Sequence, residues 1–209
     1  MDDNTKDIRL KKFFREQVRQ SLLKIGRKLV VEKGADFLTA RKLSEAANAS
    51  IGIIYNTFSN MDNFIAAQNL QTLDELYLQL SAIIPEKNPY ININRYADVF
   101  ANFVLNNRNL WMLLYKEQLF IKTGSLSHQY RRNIYRFEKL LSAQLVQMFG
   151  TLSNAERKIS IQVLGLSLFA VSGFMAAEGK KLRKVNKNNL CLLLLNTYLA
   201  GLQSLKKVS

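Results

Sequence analysis

The sequence predicts an all-α protein of about nine helices, and three observations support this class. Apolar residues recur at helical spacing along nearly the whole chain, without the apolar–polar alternation of a half-buried strand. Hydrophobic residues make up 48% of the 209 residues, which is enough for a substantial core. The chain has only two prolines and nine glycines, so few residues interrupt a helix.

The first predicted helix ends near Lys33. Val18, Leu22, Ile25 and Leu29 follow one another at three- and four-residue steps and mark its buried face. A glycine at position 34 is a typical helix stop, because glycine adopts the left-handed backbone that often follows a helix.

Residues 39–58 predict two short helices joined by a tight turn. Thr39 stands at the N-cap of the first, and Ser50 stands at the N-cap of the second. Asn48 occupies the turn and tolerates a left-handed conformation. Ile54 and Phe58 share the inner face of the second helix, so its outer face carries Ile51, Gly52, Ile53, Tyr55, Asn56 and Thr57. This layout is typical of a DNA-binding helix-turn-helix, whose second helix enters the major groove.

The remaining chain predicts six further helices. A long one covers residues 59–84, with Ser59 and Asp62 at capping-box spacing. The others cover residues 93–107, 110–121, 127–149, 153–178 and 187–206, and Ser153 with Glu156 caps the fourth of these five. We expect a DNA-binding domain at residues 1–65 and a larger helical domain at residues 66–209, with the long helix contributing to both.

From Arg19 to about Ile65 the sequence resembles the amino-terminal pattern of the tetracycline-repressor (TetR) family of bacterial regulators. The rest of the chain resembles that family only in helical layout and length. The matching positions are Leu22, Ile25, Leu29, Glu32, Lys33, Gly34, Leu38, Thr39, Leu43, Ala46, Ala47, Ala49, Ser50, Gly52, Ile54, Tyr55, Phe58, Asp62 and Phe64.

The resemblance implies a DNA-contacting surface built from the start of each short helix. Arg41 is the candidate for base readout, because arginine pairs bidentately with guanine. Tyr55 would contact a phosphate, although it could instead be a partly buried core ring. The complete predicted surface is Thr39, Ala40, Arg41, Lys42, Ser50, Ile51, Gly52, Ile53, Tyr55, Asn56 and Thr57.

Three features depart from the family pattern. Asn48 replaces the turn glycine, and Met61 stands where a lysine often contacts a phosphate. Ile51 and Ile53 are more apolar than is usual for a groove-facing side. They could touch thymine methyl groups, or the helix could turn them inward and read DNA only weakly.

Two carboxy-terminal segments, residues 161–177 and 190–202, are apolar almost all round. Both are shorter than the roughly 20 apolar residues of a transmembrane helix. We therefore expect a homodimer held by a four-helix bundle, two helices from each subunit, rather than membrane insertion. The predicted interface residues are Leu164, Leu168, Gly173, Leu193, Leu194 and Gly201.

Aromatic residues are concentrated in the middle helices, where core packing is the ordinary explanation. The resemblance also implies a cavity there for a small ligand, which the aromatic side chains predict to be hydrophobic or aromatic. We expect Phe103, Trp111, Tyr115 and Tyr135 to line it. A ligand that prefers one tilt of the long helix would then release the protein from DNA.

The composition limits the other function classes. A formal net charge of +14 favours a polyanionic partner such as double-stranded DNA. One histidine (His128) and one cysteine (Cys191) do not make a usual metal-ligand set, and no enzymatic motif is present, so we expect no cofactor and no catalysis. The amino terminus lacks the apolar core of a signal peptide, which predicts a cytoplasmic protein. The alternatives are an activating or ligand-independent regulator, a helical adaptor or membrane-surface protein, and an all-helical enzyme.

Overall fold

A computed structural model describes residues 3–116, 125–150, 152–178 and 188–205. These residues form nine α-helices and one short 3-10 turn (Ala35–Phe37) and contain no strand, which confirms the all-α class. The helices are α1 (Asp3–Lys33), α2 (Ala40–Ala47), α3 (Ile51–Phe58), α4 (Met61–Ser81), α5 (Pro89–Asn106), α6 (Arg108–Lys116), α7 (Ser125–Met148), α8 (Asn154–Glu178) and α9 (Asn188–Leu205).

The chain divides into an amino-terminal unit (Met1–Gln71) and a carboxy-terminal unit (Thr72–Ser209). The division falls within α4, beyond the boundary that we expected between residues 65 and 66. The reason is that α4 continues to pack in the first unit past that point. Phe64 is fully buried, and the Gln68 amide nitrogen donates to the Leu23 carbonyl oxygen at 2.6 Å.

The amino-terminal unit is built on one face of α1. Leu22 and Val30 of α1 are buried together with Leu43 of α2 and Ile54 of α3. The helix ends at Lys33 because Gly34 has a φ of 92°, a conformation that side chains rarely adopt. Gly26 lies beneath the Phe64 ring, where the absence of a Cβ lets α1 and α4 approach closely.

The start of α4 differs from the prediction. Ser59 is not its N-cap, since Ser59 has a φ of 69° and its backbone N–H bonds to the Tyr55 carbonyl at the end of α3. Asn60 supplies the cap instead, and its side-chain oxygen accepts from the Asn63 N–H at 2.7 Å. The prediction that Ser59 caps α4 and pairs with Asp62 was therefore wrong, because the N-cap is the next residue, Asn60.

In the carboxy-terminal unit, side-chain hydrogen bonds join neighbouring helices. The Trp111 indole N–H donates to the Ser172 hydroxyl at 2.8 Å and joins α6 to α8. The Tyr198 hydroxyl donates to the Ser160 carbonyl at 2.8 Å and joins α9 to α8. The Arg108 guanidinium donates to the carbonyl oxygens of Ala176 and Ala177 at the end of α8, at 2.8 and 3.0 Å.

The start of α8 has the capping box that the sequence predicted. The Glu156 carboxylate accepts from the Ser153 N–H at 2.8 Å, and the Ser153 hydroxyl accepts from the Glu156 N–H at 3.2 Å. The Ser153 hydroxyl also donates to the Glu156 carboxylate at 2.7 Å, and this bond, followed by the one from the Ser153 N–H, lowers the pKa of Glu156. Residues 117–121 of the predicted sixth helix lie outside the described residues.

Gly26→Ala should lower the free energy of unfolding by about 1–3 kcal/mol, because the new methyl group would overlap the fully buried Phe64 ring. In an open helical position the same change is normally favourable. Gly52→Ala is the matched control, since its methyl group would meet only the Ser50 hydroxyl, at 3.7 Å. Urea denaturation of both variants measures the difference, and equal stability would contradict this packing.

Candidate nucleic-acid interface and cavity

The two short helices have the caps that the sequence predicted. The Thr39 hydroxyl accepts from the Lys42 N–H at 3.2 Å, and the Ser50 hydroxyl accepts from the Ile53 N–H at 3.4 Å. Between them, Asn48 has φ 47° and ψ 43°, the left-handed conformation that closes the turn. Three local features thus set the direction in which α3 leaves α2.

The outer face of α3 is open to solvent. Ile54 and Phe58 are buried, whereas Ile51, Ile53 and Tyr55 are 41%, 41% and 43% exposed. The isoleucines therefore do not turn inward, and Tyr55 is not a buried core ring.

The other three positions on the outer face of α3 differ in how far they are exposed to solvent. Gly52 is exposed, and no neighbouring atom comes closer to a Cβ there than ordinary van der Waals contact. Packing within the protein does not require glycine at this position. Thr57 is only half-exposed and its hydroxyl donates to the Ile53 carbonyl at 2.7 Å, so it contributes less to the outer face than we expected. Asn56, like Gly52, is exposed.

The start of α2 carries two cations that share one carboxylate. The Arg41 guanidinium donates to Glu45 at 3.0 Å, and the Lys42 ammonium donates to the other oxygen of Glu45 at 2.9 Å. Hydrogen bonds from Lys42 and then Arg41 lower the pKa of Glu45. The Arg41 side chain is 83% exposed, and exposed pairs of this kind contribute little stability. Both cations can therefore exchange Glu45 for another anion. Of the other predicted residues, Thr39 and Ser50 are exposed and Ala40 is half-buried.

A cavity of about 410 Å³ lies in the carboxy-terminal unit. Aliphatic side chains of α4, α5, α7, α8 and α9 form much of its wall, and its aromatic lining consists of Tyr96, Phe100, Trp111, Phe137 and Phe169. Apart from these aliphatic and aromatic residues, the cavity is lined by the polar side chains of Glu138 and Gln162. Burial raises the pKa of Tyr96, so its hydroxyl stays protonated at neutral pH. On α8, the lining residues Gln162, Gly165 and Leu166 are also exposed.

Only Trp111 of the four predicted ligand residues lines this cavity. Phe103 is buried but does not line the cavity, and its ring packs edge-on against that of Trp111. Tyr115 packs on Phe169 at 5.0 Å between ring centres, and Tyr135 is 63% exposed. These three residues therefore do not line this cavity, because a choice by ring type does not take the helix face into account.

Sequence reasoning missed Glu138 and its neighbours. Ile134, Phe137, Glu138 and Leu141 lie at helical spacing along one face of α7 and all line the cavity. An acidic residue within an otherwise apolar helix face was the signal that could have identified this wall.

The predicted dimer residues fall into two groups. Leu164 is fully buried, Gly173 is buried beneath the Tyr115 ring, and Leu168 is half-buried and lines the cavity, so all three make contacts within the chain. The sequence did not reveal these contacts, because a helix that is apolar all round conceals which face packs within the chain. Leu193 is 64% exposed, Gly201 is exposed and Leu194 is half-buried.

An apolar face nevertheless remains open on α8 and α9. Large exposed side chains on α8 are Ile159, Val163, Leu166 and Phe174, and Leu193 is the corresponding residue on α9. By length and hydropathy alone α8 could cross a membrane, and 39% of its most apolar window is buried inside the protein. A single such helix is weak evidence for a membrane span, because core helices pass the same test.

Neither His128 nor Cys191 belongs to a metal site in the described part of the chain, which contains no cluster of three or more His, Cys, Asp or Glu side chains. His128 is exposed and lies 3.2 Å from the Arg131 guanidinium. Cys191 is fully buried, with its sulfur 3.5 Å from that of Met175. Burial, and secondarily the charge of Asp98, raises the pKa of its thiol to about 11.

Similar folds occur among solved structures. FadR from Bacillus subtilis, solved with stearoyl-CoA, has a TM-score of 0.67 and 12% identity over 87% of this chain and 98% of its own. The TetR-family regulator PfmR from Thermus thermophilus has a TM-score of 0.62 and 15% identity over 86% and 97%. The chain has the TetR fold. FadR from Thermus thermophilus, a TetR-family repressor solved with lauroyl-CoA, has a TM-score of 0.62 and 17% identity over 85% and 93%.

No protein-family model matches the sequence, and no curated protein sequence matches it. The structural neighbours are transcriptional regulators, and the resemblance seen in residues 19–65 is confirmed at the level of fold. At identities of 12–17% these neighbours establish the architecture alone.

Cys191 should not react with a thiol reagent at neutral pH while the protein is folded, because its thiol is buried and protonated. Reaction should be complete in denaturant. The unfolded chain loses this proton near the ordinary pKa of 9.0 and the folded chain near 11, so stability should fall as pH rises between these values. Fast native-state labelling at pH 7 would contradict this placement.

Proposed function

We propose that this protein is a DNA-binding transcriptional regulator that acts as a dimer, represses by binding a palindromic operator, and is released by a small ligand. The observation that carries the proposal is the outer face of α3. It combines exposed Ile51, Gly52, Ile53, Tyr55 and Asn56 on a short helix whose inner face is fully buried. A cytoplasmic location and a non-enzymatic role belong to the same proposal.

In this proposal α3 lies in the major groove. The exposed isoleucines contact thymine methyl groups, and Gly52 lets the helix backbone approach closely. The Tyr55 hydroxyl contacts a phosphate and fixes the register of the helix. At the start of α2, phosphate or a base edge replaces Glu45 as the partner of Arg41 and Lys42. This exchange is inexpensive because the Glu45 pairs are exposed.

Arg41→Ala tests whether this side chain reads a base. We expect a loss of about 1–3 kcal/mol in binding to the selected operator and a much smaller loss on random duplex. Lys42→Ala is the matched control, since Lys42 shares the Glu45 partner but is expected to contact only phosphate. It should weaken both duplexes alike and reduce the salt dependence. Mobility-shift titrations at several salt concentrations measure both effects. Equal losses on both duplexes for Arg41→Ala would make it a phosphate contact.

Dimerisation through the exposed face of α8 and α9 supports operator symmetry. Ile159, Val163, Leu166, Ala170 and Phe174 recur at three- and four-residue steps along the exposed side of α8. Paired across a two-fold axis with Leu193 and Gly201 of α9, they would form the four-helix bundle. The dimer would then present two copies of α3 to half-sites about 34 Å apart or a multiple of that distance.

Leu193→Asp should convert the dimer to a monomer, because it would place a charge at the centre of the proposed apolar interface. Leu78→Asp on α4 is the control, since Leu78 and Leu193 are both 64% exposed. Sedimentation velocity should show a monomer for the first variant only, and operator affinity should fall with it. The proposed interface would be contradicted if the wild-type protein were a monomer or if the Leu193→Asp variant were still a dimer.

The ligand acts through α4 in this proposal. The single helix supplies Phe64 to the core of the amino-terminal unit, and Leu73, Leu76 and Leu80 to the cavity wall. Arg136 joins α7, which contributes to the cavity wall, to the second half of α4, with an ion pair to Asp74 at 2.7 Å and a position 3.7 Å above the Tyr77 ring. A ligand that binds one position of α4 more tightly shifts the protein toward it, by no more than that difference in affinity.

A further inference from the structure

Among the described residues that line the cavity, one side chain is charged, that of Glu138, and it lies among apolar residues of α7. Its neighbours on that helix face are Ile134, Phe137 and Leu141. Glu138 is half-buried, and its carboxylate has no ion pair and no side-chain hydrogen bond with the described residues. A carboxylate that faces apolar surroundings without a partner favours a binding partner of opposite charge.

The described part of the wall offers no cation to an anionic ligand. None of the described residues that line the cavity is a lysine, arginine or histidine, although the whole protein has a net charge of +14. The Trp111 indole N–H is already bonded to Ser172, which leaves the Gln162 amide and the Tyr96 hydroxyl as neutral polar groups. An anionic ligand would therefore meet Glu138 without any compensating cation in this wall.

Aromatic rings supply a second attraction for positive charge. Five rings line the cavity, those of Tyr96, Phe100, Trp111, Phe137 and Phe169. The face of an aromatic ring attracts a cation, and the attraction increases when water is excluded. The same rings provide apolar contact for a ring-bearing ligand, and a volume of about 410 Å³ accepts a small organic molecule.

We propose that the cavity binds a hydrophobic cation, a compact ring-bearing molecule with one protonated amine or quaternary ammonium group directed at Glu138. This inference rests on the proposed ligand response and specifies its chemistry. It also separates this protein from the FadR neighbours, whose stearoyl-CoA and lauroyl-CoA ligands are anionic. This protein has the same fold as these neighbours, but its proposed ligand carries the opposite charge.

The test uses three probes with one biphenyl skeleton and different charge. They are 4-phenylbenzylamine, which is a cation at neutral pH, 4-phenylbenzyl alcohol, which is neutral, and biphenyl-4-carboxylate, which is an anion. Trp111 is the chain's single tryptophan and lines the cavity, so quenching of its fluorescence reports binding at this site. We expect the amine to bind at least about tenfold more tightly than the alcohol and the carboxylate to bind most weakly.

Glu138→Gln removes the charge while nearly preserving the shape of the side chain. It should weaken binding of the amine about tenfold and leave the alcohol unchanged, which also verifies that the variant is folded. Glu16→Gln is the control, because it makes the same charge change at an exposed position of α1 in the other unit. It should leave all three affinities unchanged.

Four results would overturn the inference. They are equal binding of the three probes, tightest binding of the carboxylate, no binding of any probe, and an unchanged affinity of Glu138→Gln for the amine. These measurements contain no DNA, so they do not depend on operator recognition. The amine is then added to the protein–operator complex as a separate experiment. An amine that binds the cavity but leaves that complex intact would contradict the release step and support the ligand class.

Discussion

Burial of Ile54 and Phe58 is the constraint on which the functional interpretation depends. An α3 of eight residues has room for one buried face and one exposed face, so anchoring these two side chains sets the direction of the rest. The Phe58 ring packs edge-on against Phe64 of α4, with ring centres 4.8 Å apart. Because the inner face is fixed in this way, the two isoleucines and Tyr55 are directed outward.

The electrostatic character of the chain differs between surface and interior. A strongly basic protein is suited to a polyanionic partner, and Arg41 and Lys42 are held by weak exposed pairs with Glu45. The cavity has the opposite character, with one carboxylate and several aromatic rings. α4 contributes to both the amino-terminal core and the cavity wall, and it is therefore the element through which we propose that the two functions are linked.

Local features were predictable from the sequence because their causes lie within a few residues. Thr39, Asn48, Ser50 and the Ser153–Glu156 pair each act on backbone groups no more than five positions away, and the structure places all of them as predicted. The exception at Ser59 is instructive. Ser59 and Asn60 are both suitable caps, and the choice between them depends on how α3 ends.

Tertiary features were not predictable in the same way. Tyr135 and Phe137 are neighbours in sequence with similar rings, yet one is exposed and the other lines the cavity. Likewise, the small size of Gly173 indicated a close helix contact but not whether the partner was Tyr115 of the same chain or a second subunit. A helix that is apolar on every side gives no pattern from which its occupied face can be deduced.

The central claim is that paired copies of α3 read duplex DNA, and selection from a pool of randomised duplexes tests it most directly. Repeated binding, recovery and sequencing should enrich an inverted repeat whose half-site centres are about one helical turn apart or a multiple of it. Enrichment should depend on Arg41. A pool that remains random after selection at moderate salt, or that yields only a single asymmetric site, would contradict the account.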